Sequence, residues 1–581
     1  MHTFEVWAPN ANKLAVQVDD VRVPMQGPDK RGWWRAAVDA AGAGSDYGFL
    51  IDDDPRPYPD PRTLWQPRGV HELSRVYDQN SFSWSDANFQ ALPLSSAIIY
   101  ELHIGTFTSE GTLDAAIGKL DYLRQLGITH LELMPLASFE GEHGWGYDGV
   151  ALFAVHEPYG GPDALKRFVD AAHRHGLAVV LDVVYNHFGP AGNYSAKFGP
   201  YLTDAHRTLW GGAVNLEDTD AYEVRRFFCD NAKMWLREFH IDGLRLDAVH
   251  AFMDRSAIHF LEQLAIETKA LEAAIGRRLI LIAESDMNDP RIVMARDAGG
   301  FGLDAQWSDD FHHALFAVLA RKPQGGYYAD FGRIGHLAKA LRDTFVYDGA
   351  YSEYRRRCHG RPATNLPQSR FMGYIQNHDQ IGNRAVGDRL TEVAGFARAK
   401  IAAAFVMLAP FIPMVFQGEE WAASSPFQYF ADHEDPELIR SVSEGRRREF
   451  AQFGWDPASI PDPEKRETFE RSKLSWNEID KGNHAEMQAW YRDLIRLRRD
   501  TPDLNDSELG HTHVRFDEEQ GWITMKRGCI TLVCNLSCGI QSHPLADGAT
   551  IALSSHHDIV VDRASMRLPA DTVVLLRTQE R

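Results

Sequence analysis

The chain has 581 residues, 61 basic against 81 acidic side chains for a net charge of −20, and hydrophobic residues at 44%. So acidic a balance is a poor electrostatic footprint for DNA, RNA or an anionic membrane surface. With 14 Trp, 19 Tyr and 31 Phe the chain buries a large core, which excludes global disorder.

At roughly 150 residues per domain the length suggests three or four domains, or fewer where a closed α/β barrel takes about 250 or more. The first segment, 1–92, reads as short strands and turns. FEVWAPNANKLAVQV alternates apolar and polar residues around a Pro-Asn turn, and GWWRAAV is a second strand candidate. The Pro- and Asp-rich DDDPRPYPDPRTLWQP that follows cannot be helical. A small β-sandwich is expected here.

From 93 to 500 the period changes. AIIYELHIGTF precedes the helical TLDAAIGKLDYLRQLG; ITHLELMP precedes ALKRFVDAAHRHG; LAVVLDVVYN precedes YEVRRFFCDNAKMWLREFH. DGLRLDAV leads to a helix from Ala257 into Ile275, and LILIAES, FGLDAQW with DFHHALFAVLAR, FMGYIQNHD with EVAGFARAKIAAAFVML, and FIPMVFQGEEW complete the set, with AEMQAWYRDLIRLRR much later. Strands apolar on both faces need cover on both faces, so the sheet is parallel. Eight such units in this span predict a closed (β/α)8 TIM barrel with long inserted loops, a doubly wound open sheet being the alternative. Residues 501–581 return to short strands, HTHVRFDE, WITMKRGCITLVCNLS, DIVVD and DTVVLLRT, and predict a second β-sandwich.

The five cysteines are an odd count in a large chain and read as ordinary thiols; Cys534 and Cys538 lack the second half of a zinc site. No apolar run approaches the length of a membrane span. The N-terminus has neither a basic start nor an apolar stretch, so a cytoplasmic enzyme is expected.

Catalytic groups of a TIM barrel sit at the C-terminal ends of its strands. The third strand ends in DVVYNH, 182–187; the fourth carries GLRLDAVH, 243–250; the fifth ends in AESD, 283–286; the seventh ends in QNHD, 376–379. Three carboxylates, Asp247, Glu284 and Asp379, thus stand at strand ends beside His187 and His378. Arg245 and Asp247, two apart on a strand, face the same way. A cation there favours the ionised carboxylate, as a nucleophile needs. Glu284 follows the apolar LILIA, which favours the neutral acid that a leaving oxygen needs as proton donor. Two carboxyl groups driven apart in this way are the signature of glycoside cleavage through a covalent glycosyl-enzyme, with net retention. Asp379 would hold sugar hydroxyls and favour the distorted, oxocarbenium-like ring; His187 and His378 would bind hydroxyls of the same sugar, and Tyr147 offers a flat face for it. Trp210 is open to either a sugar-platform or a loop-packing role.

These four stretches, DVVYNH, GLRLDAVH, IAESD and QNHDQ, resemble the four short motifs of the α-amylase family of glycoside hydrolases, in the family's order. The resemblance implies Asp247 as nucleophile, Glu284 as general acid/base and Asp379 as transition-state stabiliser. The N-terminal stretch resembles the sandwich that precedes the barrel in members acting on branch points. MPLASFEGEHGWGYDGV, IAESDMNDPRIV and FGLDAQWSDDFHHALFA resemble one subgroup, the maltooligosyltrehalose trehalohydrolases. That resemblance implies hydrolysis of the α-1,4 bond next to a terminal trehalose unit, on an oligosaccharide substrate, maltooligosyl trehalose, made by a separate synthase. Glycogen branching enzymes, which pass the chain to a sugar hydroxyl instead of water, are the alternative; a non-catalytic glucan-binding scaffold is the third reading.

A trehalose-releasing site must fit a bent disaccharide beyond the cleavage point. Asp286 is the candidate acceptor-side hydrogen bonder. Asp309, Asp310, Tyr347 and Tyr354, with Arg355, Arg356 and Arg357, lie on later loops. Asn186 matches a position that helps hold calcium in secreted amylases; its usual partner carboxylates are not recognisable, so no metal is expected and Asn186 is assigned to the loop under His187. No nucleotide or redox cofactor motif is present.

Overall fold

In the computed structural model, which describes residues 1–320, 325–451, 455–506, 511–546, 548–562 and 564–578, eight short strands close into one parallel barrel. They are Ile99–Leu102, His130–Leu133, Ala178–Val183, Gly243–Leu246, Ile280–Ala283, Ala305–Trp307, Phe371–Gly373 and Ile412–Phe416, numbered here first to eighth. Neighbours in the barrel are neighbours in sequence, and the eighth strand closes on the first with Phe416 opposite Glu101. Every residue of the eight strands is buried. That double-sided burial is why they read as unbroken apolar runs. Gly243 opens the fourth strand because a Cβ there would lie 2.2 Å from Cγ1 of Ile280 on the fifth.

The outer helices bury one stripe each. In Ala221–Glu238, Val224, Phe227, Phe228, Asn231, Ala232 and Trp235 face inward at spacings of three and four. Three predicted helices differ in detail. The one after the first strand is two pieces, Leu113–Ile117 and Leu120–Leu126. The one expected from Ala257 starts at Phe260, where the His259 side chain accepts from the Leu261 N–H. The one over 392–408 splits into Leu390–Val393 and Phe396–Leu408 at Gly395, whose φ of +89° no helix accommodates. Long insertions follow the second and third strands: a hairpin of Ala137–Ser138 with Ala151–Val155, and another of Leu202–Thr208 with Gly211–Val214.

At the N-terminal side, His2–Trp7 pairs with Trp33–Val38, and a four-stranded antiparallel sheet is built from Val21–Pro24, Leu14–Val18, Asp46–Ile51 and Ser74–Arg75. Phe4 of the first sheet packs on Tyr47 of the second at 4.8 Å between ring centroids. Both oxygens of Glu223, on the barrel helix, are held from this unit by Arg31 (2.6 Å) and Trp33 (3.1 Å). At the other end of the chain a five-stranded and a three-stranded antiparallel sheet share the predicted strands with three that the sequence did not reveal, Gln541–Pro544, Ala549–Ser554 and Ser565–Leu568. Buried Arg527 joins this unit to the barrel, donating to the carbonyls of Leu408 and Ala409, beside Arg498 of the barrel's last helix, Gly482–Asp500, which donates to those of Met407, Ala409 and Phe411. All five cysteines are unpaired, and among the described residues no helix is long and apolar enough to cross a membrane.

One turn beyond the eighth strand, Glu420 is fully buried and accepts from the hydroxyls of Tyr100 (3.0 Å) and Tyr122 (3.0 Å). Burial pushes its carboxyl up to about 8. The native state therefore holds this proton more tightly than the unfolded chain does. The resulting stability is complete below the ordinary carboxyl range and is lost as the pH rises through 8. Urea-unfolding free energy is expected to fall by up to about 1.4 kcal/mol per pH unit from this group between about pH 5 and 8. Glu420→Gln, which stays neutral, flattens that slope; an unchanged slope in the variant removes Glu420 from the account.

Candidate active site

The fourth and fifth strands run side by side with Leu246 opposite Ala283. The next residue on each is a carboxylate, Asp247 and Glu284. Neighbouring strands lie about 4.8 Å apart, so the two side chains rise from adjacent points on one rim of the barrel. Their backbones are tied: the Glu284 N–H donates to the Leu246 carbonyl (3.0 Å) and the Val249 N–H to the Glu284 carbonyl (3.1 Å).

Arg245 stands beneath both. Its side chain is wholly buried, with the guanidinium 4.3 Å from the ring centre of Trp307 on the sixth strand. Nη1 donates to Asp247 Oδ1 (2.8 Å) and to both oxygens of Asp182 (2.9 and 2.7 Å). Nη2 lies 3.8 Å from Glu284 Oε2. The second oxygen of Asp247 accepts from the Asn186 amide at 2.6 Å. Asp247 is thus met on one oxygen by a cation and on the other by a neutral donor.

Glu284 is in a different position. It accepts one backbone hydrogen bond, from Ala248 at 2.6 Å. Burial raises its proton affinity well above the usual carboxyl range; Arg245 opposes this, while the charges of Asp247, Asp309 and Asp379 add to it. Two carboxyl groups on one rim therefore have unlike surroundings: Asp247 is bonded on both oxygens by Arg245 and Asn186, and Glu284 is driven by burial toward its neutral form. Asp309, at the start of the helix after the sixth strand, is pushed up to about 7 by burial and by Asp286 and Asp379, and it accepts from the Tyr374 hydroxyl at 2.5 Å. Sequence reasoning placed it on a loop and gave it no part in this cluster.

The seventh strand delivers His378 and Asp379. Asp379 is partly exposed; its Oδ2 is 3.5 Å from His378 Nε2 and its Oδ1 accepts from Asn383 (3.1 Å). His378 is buried between Glu101, whose Oε1 lies 2.5 Å from Nδ1, and the Tyr147 hydroxyl, 2.7 Å from Nε2. Tyr147 also stacks on the His378 ring at 5.1 Å and donates its hydroxyl to Asp182 Oδ2 (2.7 Å). One face of its ring is therefore used within the protein. His187 is likewise engaged: Nδ1 pairs with Asn186 Oδ1, Nε2 lies 3.1 Å from the Tyr147 carbonyl, and burial lowers its pKa. Trp210, half exposed on the hairpin after the third strand, stacks on the His187 ring at 4.9 Å.

The acceptor-side candidates gather in part. Asp286 pairs with Arg355 (3.1 Å), and its carbonyl meets His359 Nε2 (2.8 Å). These contacts lay the short hairpin of Tyr351–Ser352 and Arg357–Cys358 against the loop after the fifth strand. The Tyr354 side chain is half exposed and its backbone N–H donates to Asp330. Asp310 is turned away from the mouth, accepting from Asn288, Val346 and Tyr347, which makes it the brace of the 346–347 loop.

Asn186 donates its amide to Asp247, and its side-chain carbonyl faces His187 Nδ1. Among the described residues one group could hold a metal, His71, Glu140 and Glu434. His71 Nε2 pairs with Glu140 Oε1 and its Nδ1 with the Tyr194 hydroxyl, Glu140 Oε2 accepts from the Glu434 backbone N–H, and the group shares no residue with the carboxylate trio.

The family profile described as Alpha amylase, catalytic domain, matches residues 76–204. The malto-oligosyltrehalose trehalohydrolase of Rhizobium sp. (strain M-11) is 48% identical, over 99% of this chain and 97% of that protein. A crystal structure from Salmonella typhimurium, assigned provisionally to alpha amylase, superposes with a TM-score of 0.90 at 36% identity, covering 99% of this chain and 97% of that one. The 1,4-alpha-glucan branching enzyme of Pseudoalteromonas atlantica is 25% identical over 88% of this chain.

Proposed function

The chain belongs to the malto-oligosyltrehalose trehalohydrolases of the α-amylase family, and from that membership we propose how its own residues carry the reaction. The protein is a retaining glycoside hydrolase that cleaves the α-1,4 bond next to the terminal trehalose of maltooligosyl trehalose. The observation that carries the assignment of roles is the pair on the rim: Asp247 bonded on both oxygens by Arg245 and Asn186, and Glu284 driven toward its neutral form by burial, one strand apart, over a shared guanidinium.

Asp247 attacks the anomeric carbon as Glu284 passes its proton to the glycosidic oxygen, and trehalose leaves with that oxygen. Glu284, now a carboxylate, takes a proton from water, whose oxygen displaces Asp247 from the sugar. Two inversions leave the α configuration. Asp379, exposed beside the cation of His378, is suited to hold two hydroxyls of the reacting sugar and to favour its flattened, positively charged form. Tyr147 and Arg245 hold the floor beneath that sugar, His378 and His187 its rim, and Asp286 with Tyr354 the trehalosyl side. A synthase that supplies the maltooligosyl trehalose would act before this enzyme. Five unpaired thiols support the cytoplasm as its place of work. The division into a sandwich at 1–92, the barrel at 93–500 and a second sandwich at 501–581 is likewise our reading, supported by where the sheets change.

Maltotriosyl trehalose is the discriminating substrate. The expected products are trehalose and maltotriose, with weak action on maltopentaose of the same length. New α-1,6 linkages in amylose with little reducing sugar would instead identify a branching transferase. Equal rates on the two pentasaccharides would defeat the trehalosyl specificity and leave the glycosidase standing.

A further inference from the structure

Glu101 lies in the middle of the first barrel strand, carries no motif, and is 1% exposed. A carboxylate so placed needs partners. It has two on one residue: Oε1 faces His378 Nδ1 (2.5 Å), and Oε2 accepts from the His378 backbone N–H (3.1 Å). The strand is thereby clamped to a residue 277 positions away in the chain.

The protons around His378 can be counted. A nitrogen this close to a carboxylate oxygen donates, so Nδ1 carries a hydrogen. Tyr147 has one hydroxyl proton, and its oxygen stands 2.7 Å from Asp182 Oδ2. Arg245 Nη1 reaches both oxygens of Asp182; burial pushes that carboxyl up to about 6 against this cation, so at pH 7.5 it is a carboxylate that can only accept, and the phenol proton goes to it. The Tyr147 oxygen must then accept from His378 Nε2 (2.7 Å). Both ring nitrogens bear hydrogen.

We propose that Glu101 is a positioning residue that holds His378 as an imidazolium, with Nε2–H aimed at Tyr147 and the Asp379 carboxylate. The cation then does two things. It keeps Asp379 Oδ2 at 3.5 Å while Asn383 holds Oδ1, so the stabilising carboxylate is oriented before sugar arrives. It also anchors one end of a continuous chain, Glu101–His378–Tyr147–Asp182–Arg245–Asp247, that ends on the attacking group. The rings of Trp145 (5.5 Å) and Trp307 (6.1 Å) close round the imidazole. The charged and titratable groups that face it are Glu101 and His103 from the first strand and its end, Glu132 from the second, Tyr147, Asp182 from the third, Arg245 from the fourth, and its own neighbour Asp379. Burial, Arg245 and His103 disfavour the cation; Asp379 and Glu101 outweigh them and raise its pKa to about 9.

This role rests on the glycosidase reading of the site, but its test does not need turnover. Uniformly 15N-histidine-labelled full-length protein is titrated by NMR, and the His378 ring resonances are identified by their loss in His378→Gln. The expected result is a doubly protonated ring through pH 7.5, deprotonating near pH 9. In Glu101→Gln, which keeps the shape and an acceptor for the backbone N–H, the titration moves down by about one pH unit or more. A neutral ring in the unaltered protein at pH 7.5 overturns the proposal even if the variant fails to fold. A folded Glu101→Gln with an unmoved titration overturns it too, since a merely structural contact leaves the ring's charge alone.

Discussion

Asp247→Ala is expected to lower turnover of maltooligosyl trehalose by about four powers of ten or more while leaving the fold and substrate binding in place. The size follows from what the side chain does. Without it, no group on the rim can form the covalent bond that divides the displacement into two easier steps, and water must attack with neither a base nor an alignment. The fold survives because the neighbours keep partners: Arg245 Nη1 still reaches both oxygens of Asp182, and the Asn186 amide still donates to the backbone carbonyl of residue 247 (3.0 Å). The measurement is the initial rate of trehalose release, set beside the thermal midpoint and substrate affinity of the same variant. A loss smaller than tenfold would sink the nucleophile assignment. The unaltered enzyme should also release its new reducing end as the α anomer, seen by proton NMR before mutarotation; the β anomer would contradict the double displacement directly.

How much of this was legible beforehand depends on how local the cause is. The eight barrel strands were, because burial on both faces is written into each run of residues, as in LAVVLDV and FIPMVF, and needs no knowledge of the partner strand. The carboxylates Asp247, Glu284 and Asp379 were legible for a related reason: each ends such a run, and a barrel exposes the ends of its strands. The cation beside Asp247 and the burial that acts on Glu284 could be read in outline from Arg245 two residues away and from the apolar LILIA.

What failed to show was whatever depends on distant segments meeting. Glu101 looked like one polar residue within AIIYELH; its meaning lies in His378, on the seventh strand. The single clue was a carboxylate in a strand with no exposed face. Tyr147 was read for its flat ring, whereas its hydroxyl joins Asp182 to His378. His187 was read as a hydroxyl binder, and its two nitrogens face carbonyl oxygens of Asn186 and Tyr147. QSHP has no apolar alternation, and SMRL alternates but over only four residues; both belong to a small three-stranded sheet in which only a few residues, such as His543, Met566 and Leu568, are buried. Their pairing, not their composition, makes them strands.

Glu284→Gln should give a different pattern from Asp247→Ala, and the difference separates proton donation from simple damage. On maltooligosyl trehalose the glycosidic oxygen leaves as a poor alkoxide unless it is protonated, so the expected loss is about 10²–10⁴-fold. On an α-glucosyl-type fluoride of the same chain length the leaving group needs no such help, and formation of the glycosyl-enzyme should be almost undiminished. Its hydrolysis, deprived of the base, then becomes limiting, and the covalent adduct accumulates on Asp247, where mass spectrometry finds it. Azide, a nucleophile that needs no base, should release the adduct as a glycosyl azide of retained configuration. The pH dependence follows with the same sign: the natural reaction requires Glu284 protonated, so its rate falls as the pH rises through the elevated pKa that burial gives this group. With the fluoride and the Gln variant, that limb disappears. Equal losses on both substrates, with no adduct and no rescue, would mean that Glu284 only shapes the rim and that the proton comes from elsewhere; the half-buried Asp309, raised to about 7, would be the next candidate.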